Sequence, residues 1–214
     1  GIGMEKDDQR KLDIVSGAFS VLLKNGLPML SYDLIAQESG VSRQLVRYYF
    51  ADPEDLMIAL CDHLAALYRE ALIQGVLARQ QDNRLEFFFD FYFDLVEGTA
   101  KPRDDQVYDA MMSLAAGNPT VRDNLRGQYS LLGQVVSHEI HLRYPQIGRE
   151  GADELSYLFV CLMYGHWKMV ASLGLSEDHK HITRQALDRL IQTYTGSKFP
   201  RVKSVKTWAS AKDS

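Results

Sequence analysis

The sequence predicts an all-α protein in two parts, a small three-helix domain followed by a larger helical one. Three observations point there. Apolar residues recur at spacings of three and four along most of the chain, no period-2 strand of any length occurs, and Gly, Pro and capping residues fall at helix-length intervals. The 214 residues suffice for a substantial core, and 46% hydrophobic with 24% charged residues is the composition of a folded chain.

The elements follow in order. Leu12, Val15, Phe19 and Leu22, widened by Ile14, Ala18 and Leu23, make the apolar stripe of a first helix. Gly26 ends it and Pro28 keeps it from resuming. Ser31 caps a short second helix, Tyr32 to Ser39, which stops at Gly40; Ser42 caps a third, Arg43 to Tyr49. Asp52-Pro53-Glu54-Asp55 combines an N-cap acid, a first-turn proline and acids facing the positive dipole end. From it Leu56, Leu60, His63, Leu64, Leu67 and Leu72 carry a long helix to about Arg79. After a polar break at Gln80 to Arg84 comes an aromatic helix, Leu85 to Val96, and Gly98 to Arg103 punctuates again. Further helices are expected over Asp104 to Ala116, from Asn118-Pro119 to about Tyr144, over Ala152 to Leu173, and from a Ser176 cap to about Tyr194. Residues Ser197 to Ser214 carry five basic residues against one acid and read as a solvated, partly disordered tail.

Several classes of function are disfavoured. No apolar run reaches the roughly 18–20 residues a membrane span needs; Leu155 to Leu175 is interrupted by Tyr164, His166, Trp167 and Lys168. Met4 reads as the native start, and the charged Met4-Glu5-Lys6-Asp7-Asp8 has no apolar core of a signal peptide behind it. Cys61 and Cys161, far apart in apolar helical segments, read as buried free thiols in a reducing cytoplasm. His138-Glu139-Ile140-His141 spaces its histidines by three where a zinc-protease helix has four, with no third ligand, so these and His179 and His181 read as surface residues. There is no nucleophile elbow, Walker sequence, dinucleotide fingerprint or metal triad, so neither an enzyme nor a cofactor is expected.

Residues 31–50 are the informative stretch. Two short helices joined by a tight turn need a small residue in the first, a glycine in the turn and apolar residues at the crossing. Ile35, Ala36, Gly40, Val41, Val46 and Phe50 meet these demands. Such a helix-turn-helix exposes the start of its second helix to a major groove. Net charge works against the idea: the whole chain carries −4, and residues 1–52 hold six basic side chains against seven acids. Ser42 to Tyr49 nevertheless contains Arg43 and Arg47 and no acid, and Arg10 and Lys11 are positioned to approach a DNA backbone.

Ala18-Phe19, Asn25-Gly26, Leu34-Ile35-Ala36, Ser39-Gly40-Val41-Ser42-Arg43, Tyr48-Tyr49-Phe50 and Leu56 together resemble the N-terminal domain of TetR-family transcriptional regulators, over about Leu12 to Leu60. The resemblance implies a homodimeric, ligand-responsive regulator of an all-α fold: a helix-turn-helix DNA-binding domain over residues 4–52, a helical ligand-binding and dimerisation domain over 53–196, and the tail over 197–214. It implies DNA contacts from Ser42, Arg43, Gln44 and Leu45, phosphate contacts from Tyr48 and Tyr49, and further phosphate candidates in Ser31 and Tyr32. Arg43 suits a guanine edge or a phosphate, Gln44 an adenine, Leu45 a thymine methyl. Arg47 stands where the family commonly has tyrosine and can still hold phosphate. Asp33 replaces a residue basic in some members and repels DNA unless it only caps the second helix. Pro53 replaces a common lysine.

Phe87, Phe88, Phe89, Phe91, Tyr92 and Phe93 make six aromatics in seven positions, aromatic on every helical face. They read either as the centre of a bundle or as walls of a ligand cavity. In the second reading Phe88, Phe91, Tyr92, Tyr108, Met111, Met112, Tyr129, Tyr164, His166 and Trp167 line it, for a largely apolar or aromatic small-molecule effector. The resemblance assigns dimerisation to the last two long helices, here through Leu155, Leu158, Leu162, Leu187, Leu190, Ile191 and Tyr194. The implied partners are double-stranded operator DNA, bound as a palindrome, and a second copy of the chain, with repression the simpler mode. A helical protein-binding scaffold without specific DNA binding is the alternative, favoured by Asp33, Pro53 and the acidic N-terminus.

Overall fold

The computed structural model describes residues 5–26, 31–78, 84–97, 105–196 and 206–208. Among these every regular element is helical: α1 (Lys6–Asn25), α2 (Tyr32–Ser39), α3 (Arg43–Tyr49), α4 (Pro53–Leu77), α5 (Arg84–Tyr92), α6 (Asp105–Ala115), α7 (Pro119–Arg143), α8 (Gly148–Trp167) and α9 (His179–Gly196). A 3-10 turn, Pro145–Ile147, precedes α8, and a π-helical turn, Lys168–Ser172, extends it. The chain divides into two compact units, one of residues 1–69 and 101–125, the other of 70–100 and 126–214. No helix of the described residues is long and apolar enough to cross a membrane. The expected breaks at Gln80 and Gly98 to Arg103, Pro28 and most of the tail lie outside the described residues.

In the first unit α1 buries Ile14, Val15, Ala18, Val21 and Leu22, while Leu12 and Leu23, expected in the stripe, are exposed. The buried face is centred on the side where α1 meets α2. There Gly17 lies so close to Ser39 that an added Cβ would stand 1.9 Å from the serine Oγ. Gly26 (φ 81°) ends α1 with its N–H on the Leu22 carbonyl. Asp52 starts α4 by accepting the Glu54 N–H at 3.1 Å, and Asn118 starts α7 by accepting those of Thr120 and Val121 at 3.0 and 3.2 Å. Leu56, Leu60, Cys61 and Leu64 of α4, Val107 and Met111 of α6, and Val121 and Leu125 of α7 are buried.

In the second unit the aromatic run is core. Phe89, Tyr92 and Phe93 surround Phe159 of α8 at ring separations of 5.3, 5.8 and 5.8 Å. Phe87 rests on Gly75 of α4, where a Cβ would meet its Cζ at 2.1 Å. Arg184 of α9 pairs with Asp90 at 2.8 Å and covers the Phe89 ring. α5 ends at Tyr92, short of the expected Val96, and Asp94 adopts φ 61° in the turn after it. α9 starts at His179, and the Ser176 hydroxyl bonds the His179 ring Nδ1 at 2.8 Å.

Two expectations are corrected. Cys61 is buried, but Cys161 is exposed, because it lies on the outward face of α8, one turn beyond the exposed Tyr157. The C-terminal stretch is not solvated throughout: Trp208 packs on Gly133 of α7, where a Cβ would come within 2.0 Å of its ring. Its indole N–H donates to the buried Ser156 Oγ at 3.1 Å, and its ring meets Tyr157 edge-on at 5.9 Å. Ser156, Gly133 and Tyr157 form an indole-shaped slot that helical periodicity alone does not reveal.

Candidate nucleic-acid interface

The α2–α3 pair is built by local chemistry. Ser31 Oγ accepts the Leu34 N–H at 3.2 Å and starts α2; Ser42 Oγ accepts the Leu45 N–H at 3.1 Å and starts α3. Between them Gly40 adopts φ 70°, ψ 26°, the left-handed conformation that costs glycine nothing, and the Val41 N–H closes on the Ala36 carbonyl at 3.1 Å. Ile35, Ala36, Val46 and Phe50 are buried and lock the crossing. With that face inward, the helical period turns Arg43, Gln44, Arg47 and Tyr48 to solvent; Tyr48 is 77% exposed. Leu45 and Tyr49 are half-buried at the margin.

Several of these side chains have neighbours that orient them. Arg43 Nη1 stands 3.4 Å from Asp33 Oδ1, an ion pair that crosses from α3 back to the first turn of α2. The Arg47 guanidinium lies 5.8 Å from the centre of the Tyr32 ring. Tyr32 donates its hydroxyl to the Phe50 carbonyl at 2.6 Å, tying the start of α2 to the end of α3, and burial raises its pKa. Tyr49 donates to Asp7 Oδ1 on α1 at 2.8 Å; that hydrogen bond holds the phenol above its ordinary range. Tyr48 and Tyr49 meet edge-to-face at 5.1 Å. Lys24 and Glu38 pair at 2.6 Å between α1 and α2. The nine residues singled out for DNA therefore divide: Arg43, Gln44, Arg47 and Tyr48 are outward, Leu45 is half-buried at the margin, Ser31 and Ser42 cap helices, and Tyr32 and Tyr49 brace α3 through their hydroxyls.

Sequence reasoning missed the partners. Gly17, Asp7 and the Asp33–Arg43 pairing depend on which helices cross, for which single-helix periodicity holds no signal. Also missed is a groove of about 480 Å³ in the same unit, lined by Tyr32, Ile35, Leu56, Met57, Ala110 and Leu114 among others.

The residues expected around an effector fall in both units. Tyr108, Met111 and Met112 are on α6 in the first, with Met111 fully buried and Met112 36% exposed. In the second, Phe88 is buried, Phe91 and Tyr92 are buried against other rings, and Trp167 donates its indole N–H to the Tyr92 carbonyl at 3.0 Å. Tyr129 and Tyr164 meet edge-to-face at 6.3 Å, and burial raises the Tyr164 pKa. His166 is buried between the Phe93 ring at 5.5 Å, Asp94 Oδ2 at 3.6 Å and the Thr183 hydroxyl at 3.5 Å. Asp94 and Thr183, polar partners of a buried histidine, were not anticipated. Among the described residues no group of three or more His, Cys, Asp and Glu is arranged to hold a metal ion.

On α8 and α9, Leu155, Leu187 and Ile191 are buried within the chain itself and have almost no area to offer a second copy. Leu158, Leu162 and Leu190 are half-buried, and the Tyr194 hydroxyl bonds the Glu154 carboxylate. The outward apolar residues of these helices are instead Tyr157, Cys161 and Ile182. A helix offers different residues to its own core and to a partner, and an apolar count does not separate them.

Neither a protein-family model nor a curated protein matches the sequence. Solved structures do match its fold. A TetR-family regulator from Cytophaga hutchinsonii superposes with a TM-score of 0.73 at 12% identity, over 92% of this chain and all (100%) of that one. A TetR transcription regulator from Haloarcula marismortui gives 0.68 at 17%, covering 86% and 97%. A Saccharomonospora viridis protein in complex with choline gives 0.66 at 21%, covering 86% and 96%. Many of the matching structures are TetR-family transcriptional regulators, and the all-helical fold of this chain is theirs.

Proposed function

We propose that this protein is a one-component transcriptional regulator that reads a palindromic operator as a homodimer and responds to a small-molecule effector. One observation carries the reading: α3 is locked inward by Val46 and presents Arg43, Gln44, Arg47 and Tyr48 outward on a rigid helix-turn-helix. Two arginines, an amide and an aromatic are a set suited to base edges and phosphates. Residues 4–52 are the reader, and residues 53–196 hold the effector and the dimer face, drawing on Leu158, Leu162 and Leu190 together with the outward Tyr157 and Ile182. Repression is the simplest mode, since occupancy of an operator suffices, and such a regulator works in the cytoplasm where the DNA is. The choline complex of a protein with this fold supports a small-molecule effector. The effector acts only through its differential affinity for the DNA-competent and incompetent forms.

The test is selection of binding sites from random duplex DNA by the purified protein at about physiological salt. A palindromic site with half-sites about one helical turn apart is expected. Arg43→Ala should weaken binding and relax preference at one base position, whereas Arg47→Ala should weaken all sequences alike. A folded protein that enriches no sequence refutes DNA reading and favours the scaffold alternative.

A further inference from the structure

We propose that Asp33 is a specificity-determining residue of the α3 surface, holding Arg43 for base reading and penalising its release to a phosphate. The inference rests on the DNA-binding reading above. A first-turn acid on α2 ordinarily caps the helix or faces the positive end of its dipole, and Asp33 is not the cap: Ser31 is the N-cap, its Oγ taking the Leu34 N–H. The Asp33 carboxylate instead faces Arg43 Nη1 at 3.4 Å across the helix-turn-helix, with both side chains more than half exposed. An acid in that position cancels one of the two cations that α3 carries, on the surface proposed to meet a polyanion.

The geometry of the guanidinium shows what this does. Arg43 carries five N–H donors in a planar fork, and Asp33 stands beside one of its terminal nitrogens. The rest of the fork stays available for the two acceptors of a guanine edge. On the correct site Arg43 reads the base while still beside Asp33, so no charge is stranded. On any other sequence the guanidinium can gain a phosphate only by leaving Asp33, which strands the carboxylate next to the DNA backbone, so the ion pair holds Arg43 back. Asp33 therefore penalises nonspecific binding more than specific binding. Arg47 differs, because its neighbour is the uncharged Tyr32 ring, which does not compete with a phosphate.

The experiment compares the full chain with Asp33→Asn, Arg43→Ala and the double variant. Each is titrated against the selected duplex and a scrambled duplex of the same composition, at several salt concentrations. Asp33→Asn keeps the side-chain shape at an exposed position, and unchanged thermal unfolding verifies its fold. Removing the acid should let about one more phosphate be neutralised on scrambled DNA, tightening binding about five-fold at about 0.15 M salt and steepening the salt slope by about 0.9. Affinity for the selected site should stay level or fall, so the specificity ratio drops about five-fold or more. In the Arg43→Ala background Asp33→Asn should leave that ratio unchanged. An equal gain on both duplexes, or an undiminished effect without Arg43, would show a bare repulsive charge and overturn the proposal. Failure of the unsubstituted protein to prefer any duplex overturns the DNA-binding reading itself, a result distinct from either.

Discussion

Gly17→Ala probes the contact on which the N-terminal unit is hung. The new Cβ would stand 1.9 Å from Ser39 Oγ, 3.1 Å from Ser39 Cβ and 3.2 Å from the Ser39 backbone nitrogen. The hydroxyl can rotate away, but the other two atoms belong to α2, so α1 and α2 must part by a few tenths of an ångström. Overpacking of this kind costs about 1–3 kcal/mol. Replacing a mid-helix glycine with alanine returns about 0.5–1 kcal/mol. A net loss of up to about 2.5 kcal/mol follows, lowering Tm by up to roughly 10 °C in a chain of this size. Ser39 supplies an internal control, because its Oγ is buried with no hydrogen-bond partner. Ser39→Ala should be neutral or stabilise by up to about 1 kcal/mol. In the double variant Gly17→Ala should cost visibly less than it does alone. Urea unfolding of the four proteins, followed by far-UV circular dichroism, measures the cycle. Strictly additive effects of the two substitutions would refute the close α1–α2 approach.

Three further outcomes are expected. Gly75→Ala places a Cβ 2.1 Å from Phe87 Cζ and should destabilise the second unit by about 1–3 kcal/mol in the same assay. Trp208→Ala empties the slot on Gly133 and strands the Ser156 hydroxyl as acceptor, so a loss of about 1–3 kcal/mol is expected; no change in denaturation midpoint would mean that the indole contributes nothing there. His63, packed edge-on against Phe19, has its pKa lowered by burial, so the folded state disfavours the imidazolium. Its contribution is therefore fully present above the ordinary histidine range of about 6.5 and is lost as pH falls through that value toward the lowered one. Melting curves from pH 7.5 to 5 should show the parent losing stability faster than His63→Gln, and parallel curves would refute it.

The effector reading shows where sequence patterns stop being informative. Six aromatics in seven positions fit a cavity wall and a bundle centre equally, since a helix aromatic on every face does not say what it faces. In the second unit Phe89, Tyr92 and Phe93 close around Phe159, which leaves those rings as core. The polar neighbours of His166 were invisible for a related reason: Asp94 and Thr183 come from a different turn and a different helix.

What the sequence determined by itself is whatever short-range chemistry controls. The helices, the Ser31 and Ser42 caps and the left-handed Gly40 turn all follow from interactions within a few residues, so periodicity and capping rules reach them. The tertiary structure alone decided which apolar residues of α8 and α9 belong to the core, that Cys161 faces solvent, and that Trp208 is docked. It also decided that Gly17 must be small and that Asp33 faces Arg43. Each of these depends on which helices cross and at what distance, and that is set by the simultaneous packing of segments far apart in the chain.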